Sequence, residues 1–272
     1  MSGAGRLAGL RGEPVTSAQP QHGPVLSFRQ RLTWIAHLFK AVVRQYLRPM
    51  ASVLRPLLPE DGVAVDVGAH AGHYSKVLAR LVPRGRVYAF EPGAYAHSLL
   101  RLVVAVLRLS NVTIVPAGLS DRPGAEVLHV PIKRRGTVGF GLSHLGADTS
   151  GRAMVKEEIR LTTLDLFVEE AGLARLDFIK IDIEGWEAHF LRGAMKTVER
   201  FRPVMQFEIQ DEMLARAGST HAEIFDVLAP LGYCVFRLTS QHGPGIEPVD
   251  GFVHSADYIF VPAEKAALVP LS

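Results

Sequence analysis

The chain carries a single cysteine, Cys234, among its 272 residues. That excludes an intrachain disulfide and a cysteine-built zinc centre, and it fits a reducing compartment. Strong charge of one sign is also missing. The net charge is +3, which gives no argument for a nucleic-acid partner. No uncharged apolar run reaches membrane-spanning length; stretches such as Leu102–Leu107 are cut short by arginines. The first 27 residues are rich in Gly, Pro, Ser, Ala and Gln and lack the apolar core of a secretory signal, so they read as a disordered tail. These absences lead us to expect a cytoplasmic protein with no membrane span. Nothing among them sets an oligomeric state.

What is present is ordinary globular composition, 48% apolar and 21% charged, ample for a sizeable core. Residues 28–58 read as an N-terminal helical segment. Within it Phe28–Leu47 has helical period: Ile35, Leu38, Phe39, Val42 and Tyr46 share one stripe, with Arg31, Lys40 and Arg44 off it. The stripe is expected to pack against the main domain. A basic amphipathic helix can also lie on a membrane surface. Arg48-Pro49 ends the helix.

Residues 59–272 read as one domain. Strands at Val63–Val67, Val87–Phe90 and Val112–Val115 alternate with helices at Gly72–Leu81 and Tyr95–Leu109. Such βαβ units with doubly apolar strands make a parallel sheet covered on both faces. Shorter strands follow at Ala125–Pro131 and Glu157–Leu161, around a Gly-, Ser- and Thr-rich stretch at 133–155 that reads as a mobile loop. Thr163 is placed to cap a helix at Leu164–Ala171. Then come the strand "DFIKIDIEG", a helix at Glu187–Arg200, a strand at Pro203–Ile209, a helix at Thr220–Leu228, and strands at Tyr233–Leu238 and Asp257–Val261.

Ligands of open α/β sheets sit beyond the carboxyl ends of the strands. There, "VDVGAHAGHYS" has His70 and His73 where a dinucleotide fingerprint starting at Gly68 needs glycines. That disfavours NAD or FAD, and no Lys-Ser or Lys-Thr makes a phosphate loop. The turn instead reads D-x-G-x-x-x-G, with Asp66, Gly68 and Gly72. S-adenosylmethionine has no phosphate. It has an ammonium group that a carboxylate such as Asp66 can hold, and a carboxylate that free helix N–H groups can hold. Glu91, 25 residues on at the end of the second strand, is placed for ribose hydroxyls; a surface glutamate capping the next helix is the alternative. Ser120 and Asp121 could border an adenine edge or simply start the turn Arg122-Pro123-Gly124. Asp182 and Glu184 emerge with period-two spacing on one side of a central strand, candidates for catalysis or for the amino-acid end of the cofactor.

The segments "VDVGAHAGHYS", "AFEP", "GLSDRPG", "LTTLDLF", "DFIKIDIEGWE" and "DYIFVP", in that order, resemble the FkbM-type methyltransferases that use S-adenosylmethionine. The resemblance covers about Asp61 to Pro262. It implies a Rossmann-like doubly wound sheet of about seven strands, mostly parallel with the last antiparallel. It implies S-adenosyl-L-methionine as cofactor and O-methylation of a hydroxyl, often on a sugar or secondary metabolite. Carried over, Asp66, Gly68 and Gly72 form the cofactor turn, Glu91 binds ribose, Ser120 and Asp121 border adenine, and Asp182 and Glu184 face the reacting end. Ala69, His70, Tyr74 and Pro92 complete the expected cofactor-binding set. The family commonly has asparagine where this chain has His70; both residue types tolerate positive φ.

An alcohol is a poor nucleophile, so a base should help remove its proton. Asp182, Glu184 and Glu208 on "MQFEIQ" are the candidates, with nearby histidines behind them. No metal is expected: His70 and His73 are three apart, but no third ligand is evident. Lys133-Arg134-Arg135 could meet an anionic acceptor, and Trp186 could stack on a sugar ring. The competing readings are an NAD-dependent oxidoreductase or epimerase and a non-catalytic cofactor-binding module.

Overall fold

The computed structural model describes residues 28–43, 49–131, 154–239 and 245–271. The tail 1–27, the Lys133-Arg134-Arg135 cluster, His144 and most of the 133–155 loop lie outside these. The central layer is an eight-stranded sheet. Its parallel half contains β1 (Val63–Val67), β2 (Arg86–Phe90), β3 (Val112–Val115), β7 (Phe178–Ile181) and β8 (Val204–Ile209). β1, β2, β7 and β8 are apolar and almost wholly buried, as expected of a sheet with helices on both faces, while the edge strand β3 is fully buried only at Val115. Beyond β8 the closing strand β11 (Ala256–Pro262) is inserted antiparallel between β8 and β9 (Tyr233–Leu238). The expected seven strands are present in this arrangement. An eighth, β10 (Ile246–Val249), pairs antiparallel on the edge of β9. Its sequence, "IEPV", is too short and too polar to announce itself.

Three further strands, β4 (Gly118–Leu119), β5 (Gly124–Pro131) and β6 (Met154–Thr162), form a small separate sheet. The strand runs at 125–131 and 157–161 are thus a hairpin-like pair beside the main sheet, in antiparallel register from Gly124↔Leu161 to Pro131↔Met154.

The helices are α1 (Phe28–Val43), α2 (Met50–Leu54), α3 (Ser75–Leu81), α4 (Ala94–Val106), α5 (Leu164–Glu170), α6 (Glu187–Arg192), α7 (Met195–Phe201), α8 (Asp211–Arg216) and α9 (Ala222–Leu228). Thr163 caps α5 as its side chain accepts from the Leu166 N–H at 3.1 Å. Two expectations need correction. The helix after the first turn starts at Ser75, not Gly72, because Gly72 sits at φ +76. The single helix expected over 187–200 is broken at Gly193-Ala194. There the chain passes so close to the small-sheet region that a Cβ on Gly193 would lie 2.0 Å from the Ser120 carbonyl oxygen.

The core lies on both faces of the main sheet. Phe90, Phe167, Phe190, Phe207 and Phe260 pack on one face with Val65, Val67 and Ile181; Leu54, Leu78, Val82, Phe178 and Ile259 pack on the other. Each fully buried side chain of this size contributes about 1.5–3 kcal/mol of transfer free energy.

The N-terminal stripe is the third correction. Leu38 and Val42 turn inward with Trp34 and Ala41 to meet Tyr95, Leu99 and Val103 of α4. Ile35 and Phe39, expected on the same buried face, are exposed. A helix resting on one other helix buries a narrow stripe, so the wider apolar arc of α1 splits between core and solvent.

Candidate active site

A cavity of about 520 Å³ opens at the carboxyl ends of β1, β2, β7 and β8. Its first wall is the turn after β1. Asp66 is buried, and its carboxylate accepts from the Ser75 hydroxyl at 2.5 Å. Burial raises its pKa to about 6, with the Ser75 bond and the Lys180 charge opposing. The chain then turns at Gly68, φ +77, where a Cβ would lie 2.0 Å from the Asp182 carbonyl oxygen. Only glycine lets the turns after β1 and β7 come into backbone contact.

The N–H groups of Gly68 and Ala69 both donate to the Phe90 carbonyl, at 3.1 and 2.9 Å. His70 takes φ +49, and its N–H donates to Glu91 at 2.8 Å. The other Glu91 oxygen accepts from the Gly93 N–H, also at 2.8 Å. Glu91 therefore fastens the first turn to the start of α4. Burial lifts it to about 7 against those two bonds, and each oxygen keeps a further lone pair for a ligand hydroxyl. The His70 ring lines the cavity with its buried Nε2 unpartnered among the described residues. Burial lowers its pKa, so the ring is neutral near pH 7.

The second wall is acidic and centres on Lys180 of β7. Lys180 is buried, 3.7 Å from the Asp182 carboxylate and with Nζ 5.6 Å from the centre of the Tyr74 ring. Burial alone would lower its pKa. The charges of Asp182, Asp257, Glu208 and Asp66 outweigh that and raise it, so Lys180 stays a cation. Glu208 accepts from Gln210 at 2.6 Å and is raised to about 7, first by burial and then by Asp182. Asp257, opposite Glu208 in the β11–β8 register, is raised by burial, and one of its oxygens has no partner among the described residues. The Tyr74 hydroxyl donates to Gln206, and its ring stacks on Phe178.

Asp182 and Glu184 were expected to share one side of a strand. Instead β7 ends at Ile181, and both acids stand in the following turn with Glu184 at φ +55. They still line the same cavity, because the turn folds back toward the first loop rather than continuing straight. The turn is held by Glu187, which accepts from the Ile183 and Gly185 N–H groups, each at 3.2 Å. Burial raises Glu184 to about 8.

Of the remaining expected residues, Ala69, Tyr74 and Pro92 line the cavity. Gly72 does not; it packs against Leu100. Ser120 and Asp121 also lie outside the lining, which at that edge is Ala117, Gly118 and Leu119. Ser120 is occupied as the acceptor for the Trp186 indole N–H at 3.0 Å. Trp186 lines the cavity with its ring stacked on His189, centroids 4.1 Å apart.

Several lining residues carry no clear signal in the sequence, among them the charged Lys180, Asp257 and Glu157. Lys180 stands inside the quoted "KIDIEG", and a lysine on a doubly buried strand was the available signal. Asp257 begins "DYIFV" and offers no signal without the strand pairing. Glu157, which accepts from the Ala94 N–H at 2.7 Å, arrives from the small sheet. Among the described residues no group of three or more His, Cys, Asp or Glu side chains could hold a metal ion.

Open α/β sheets bind their ligands beyond the carboxyl ends of the strands, and that is where this carboxylate-lined cavity opens. Residues 66–237 match the Methyltransferase FkbM domain family, and the chain belongs to that family of methyltransferases. It is 23% identical over 235 residues to the 2-O-methyltransferase NoeI of Sinorhizobium fredii, covering 84% of this chain and 93% of NoeI. It is 28% identical over 160 residues to Methyltransferase sdnD of Sordaria araneosa, covering 50% of this chain and 61% of that protein. The crystal structure of Methyltransferase FkbM from Methylobacillus flagellatus superposes with a TM-score of 0.46 at 15% identity, over 85% of this chain and 58% of that one. The chain thus spans about three-fifths of the length of the last two proteins.

Proposed function

We propose that the chain is an S-adenosylmethionine-dependent O-methyltransferase acting on a hydroxyl of a sugar or secondary metabolite. The observation that carries this reading is one cavity shared by the Gly68–His70 turn, Glu91, and the Lys180-centred acids. The lining suits the cofactor's charges. Asp66, Glu91, Glu157, Asp182, Glu208 and Asp257 stand against Lys40 and Lys180, an excess of carboxyl groups complementary to an ammonium and a sulfonium. The orphaned His70 Nε2 supplies a polar atom that still needs a partner.

Asp66, Gly68, Ala69, His70, Tyr74, Glu91 and Pro92 would hold the cofactor, with Glu91 on the ribose hydroxyls. When bound, the cofactor supplies a methyl group on sulfur that is ready for in-line displacement. The chain's own task is to position the acceptor oxygen and take its proton. Asp182 and Glu208 are the base residues in this reading. Glu184, raised to about 8, is protonated at neutral pH and suits hydrogen-bond donation to the acceptor. NoeI, a relative aligned over most of both chains, is by name a 2-O-methyltransferase, which supports oxygen as the methylated atom.

The test is incubation with labelled S-adenosylmethionine and a panel of hydroxylated sugars and polyketides, with an RNA fragment as a further arm. Label in a sugar or polyketide hydroxyl is the expected result. Transfer to RNA alone overturns the acceptor class, and normal turnover by both Asp182→Asn and Glu208→Gln removes the base assignment.

A further inference from the structure

Helix α1 is held against the domain in one rotational setting. The Trp34 indole N–H donates to Ser98 at 2.9 Å, His37 Nδ1 lies 3.1 Å from the Tyr95 hydroxyl, and the buried Lys76 ammonium donates to the Ala41 carbonyl at 2.6 Å. These contacts fix which side of the helix faces out. That side carries Ile35, Phe39 and Val43, spaced by four residues and 56%, 69% and 54% exposed. Ala36 between them is exposed as well, and Arg31 and Lys40 of the same helix are exposed charged residues. The helix cannot roll to bury the ridge without giving up the three fixed contacts.

The charge of this part of the chain is lopsided. From Pro14 to Pro59 there are six basic residues, Arg29, Arg31, Lys40, Arg44, Arg48 and Arg55, and no acidic one. Residues 1–59 hold eight basic and one acidic residue, so 60–272 hold the other 22 and 26 of the chain's 30 and 27. A net charge of +3 therefore hides a cationic N-terminal segment on an anionic domain. A contiguous apolar ridge between cations is the chemistry of an interfacial helix: the side chains enter the acyl boundary while the cations meet anionic headgroups.

We propose that the outward face of α1 is a docking surface for an anionic lipid membrane. The chain lies on the bilayer through Ile35, Phe39 and Val43 and does not cross it; no described helix is long and apolar enough to do so. Lys40, beside Phe39 on this helix, also lines the cavity. Docking therefore brings the cavity mouth to the lipid surface. The surface is independent of what the cavity methylates.

The experiment is co-sedimentation of the full chain with vesicles of phosphatidylcholine alone or mixed with phosphatidylglycerol. Binding is expected to the mixed vesicles, to weaken as salt is raised, and to be at least fivefold weaker on phosphatidylcholine, given about 1 kcal/mol per basic residue near an anionic surface. Ile35→Glu combined with Phe39→Glu should reduce binding at least tenfold, through lost apolar burial and added like charge. The same variant should keep the wild-type melting temperature, since both side chains are exposed. Failure of the wild-type chain to bind mixed vesicles overturns the proposal, as does equal binding by the double variant. Sedimentation velocity supplies a further decision: a concentration-dependent dimer abolished by Phe39→Glu assigns the ridge to a second copy and overturns the membrane assignment.

Discussion

The two walls of the cavity hold their carboxylates in opposite ways. On the β1–β2 wall each acid has fixed hydrogen-bond donors: Ser75 for Asp66, and the His70 and Gly93 N–H groups for Glu91. On the β7–β8–β11 wall, Asp182, Glu208 and Asp257 face one buried lysine and one another, with few fixed donors. The first wall is a rigid cradle whose shape is set by backbone. The second is a balance of charge whose proton positions can change, which is what proton removal from an acceptor requires.

If that contrast is correct, Lys180→Met is the most damaging single change. It leaves the acidic wall without its cation, and breaking a buried charge assembly costs roughly 3–5 kcal/mol. Thermal unfolding should show the loss, and an unchanged melting temperature would mean that the acids do not depend on Lys180. Gly68→Val comes next. Its Cβ collides with the Asp182 carbonyl at φ +77, so titration calorimetry should find S-adenosylmethionine affinity reduced by about a hundredfold or more, since strain of this kind costs up to about 3 kcal/mol. Unchanged affinity would detach the turn from the cofactor. Glu91→Gln is milder: one oxygen can still accept one of the two N–H groups, and roughly tenfold weaker cofactor binding is expected for one lost charged hydrogen bond. An effect confined to stability would make Glu91 a fastener only.

A further expected effect is on pH dependence. Asp66, Glu91, Glu184, Glu187 and Glu208 all have folded pKa values raised above those of ordinary carboxyls, to between about 6 and about 8. Between their unfolded and folded values the native chain binds more protons than the unfolded chain, so their contribution is lost as pH rises. His70, His97 and His189 are lowered and act in the opposite sense, but chiefly below their ordinary value of 6.5. The melting temperature of the ligand-free chain should therefore fall from pH 6.5 to about 8. A flat or rising profile would show that the acidic wall is already ionised and solvated.

Much of this was legible in the chain. The alternation of apolar strands and helices announced a parallel sheet, and the glycine turn with an acid at each strand end announced where a ligand would sit. Local order carries those signals, because each strand end delivers its next residue to the same edge of the sheet. Other features lay beyond local order. Glu157 reaches the cavity from a small sheet that pairs off to one side, and Asp257 reaches it because β11 runs backwards between β8 and β9. The rigid break at Gly193 depends on a neighbouring backbone 2.0 Å from a missing Cβ.

The sequence by itself determined the fold class, the glycine turn after β1 and most of the acids that line the cavity, since burial period and strand-end spacing are properties of consecutive residues. Only the tertiary structure decided which acids share Lys180, and which part of the α1 stripe faces solvent. Both depend on pairing partners distant in the chain. A carboxylate's protonation and an apolar side chain's exposure are set by neighbours in space, and those neighbours exist only once the sheet has closed on β11 and α1 has settled on α4.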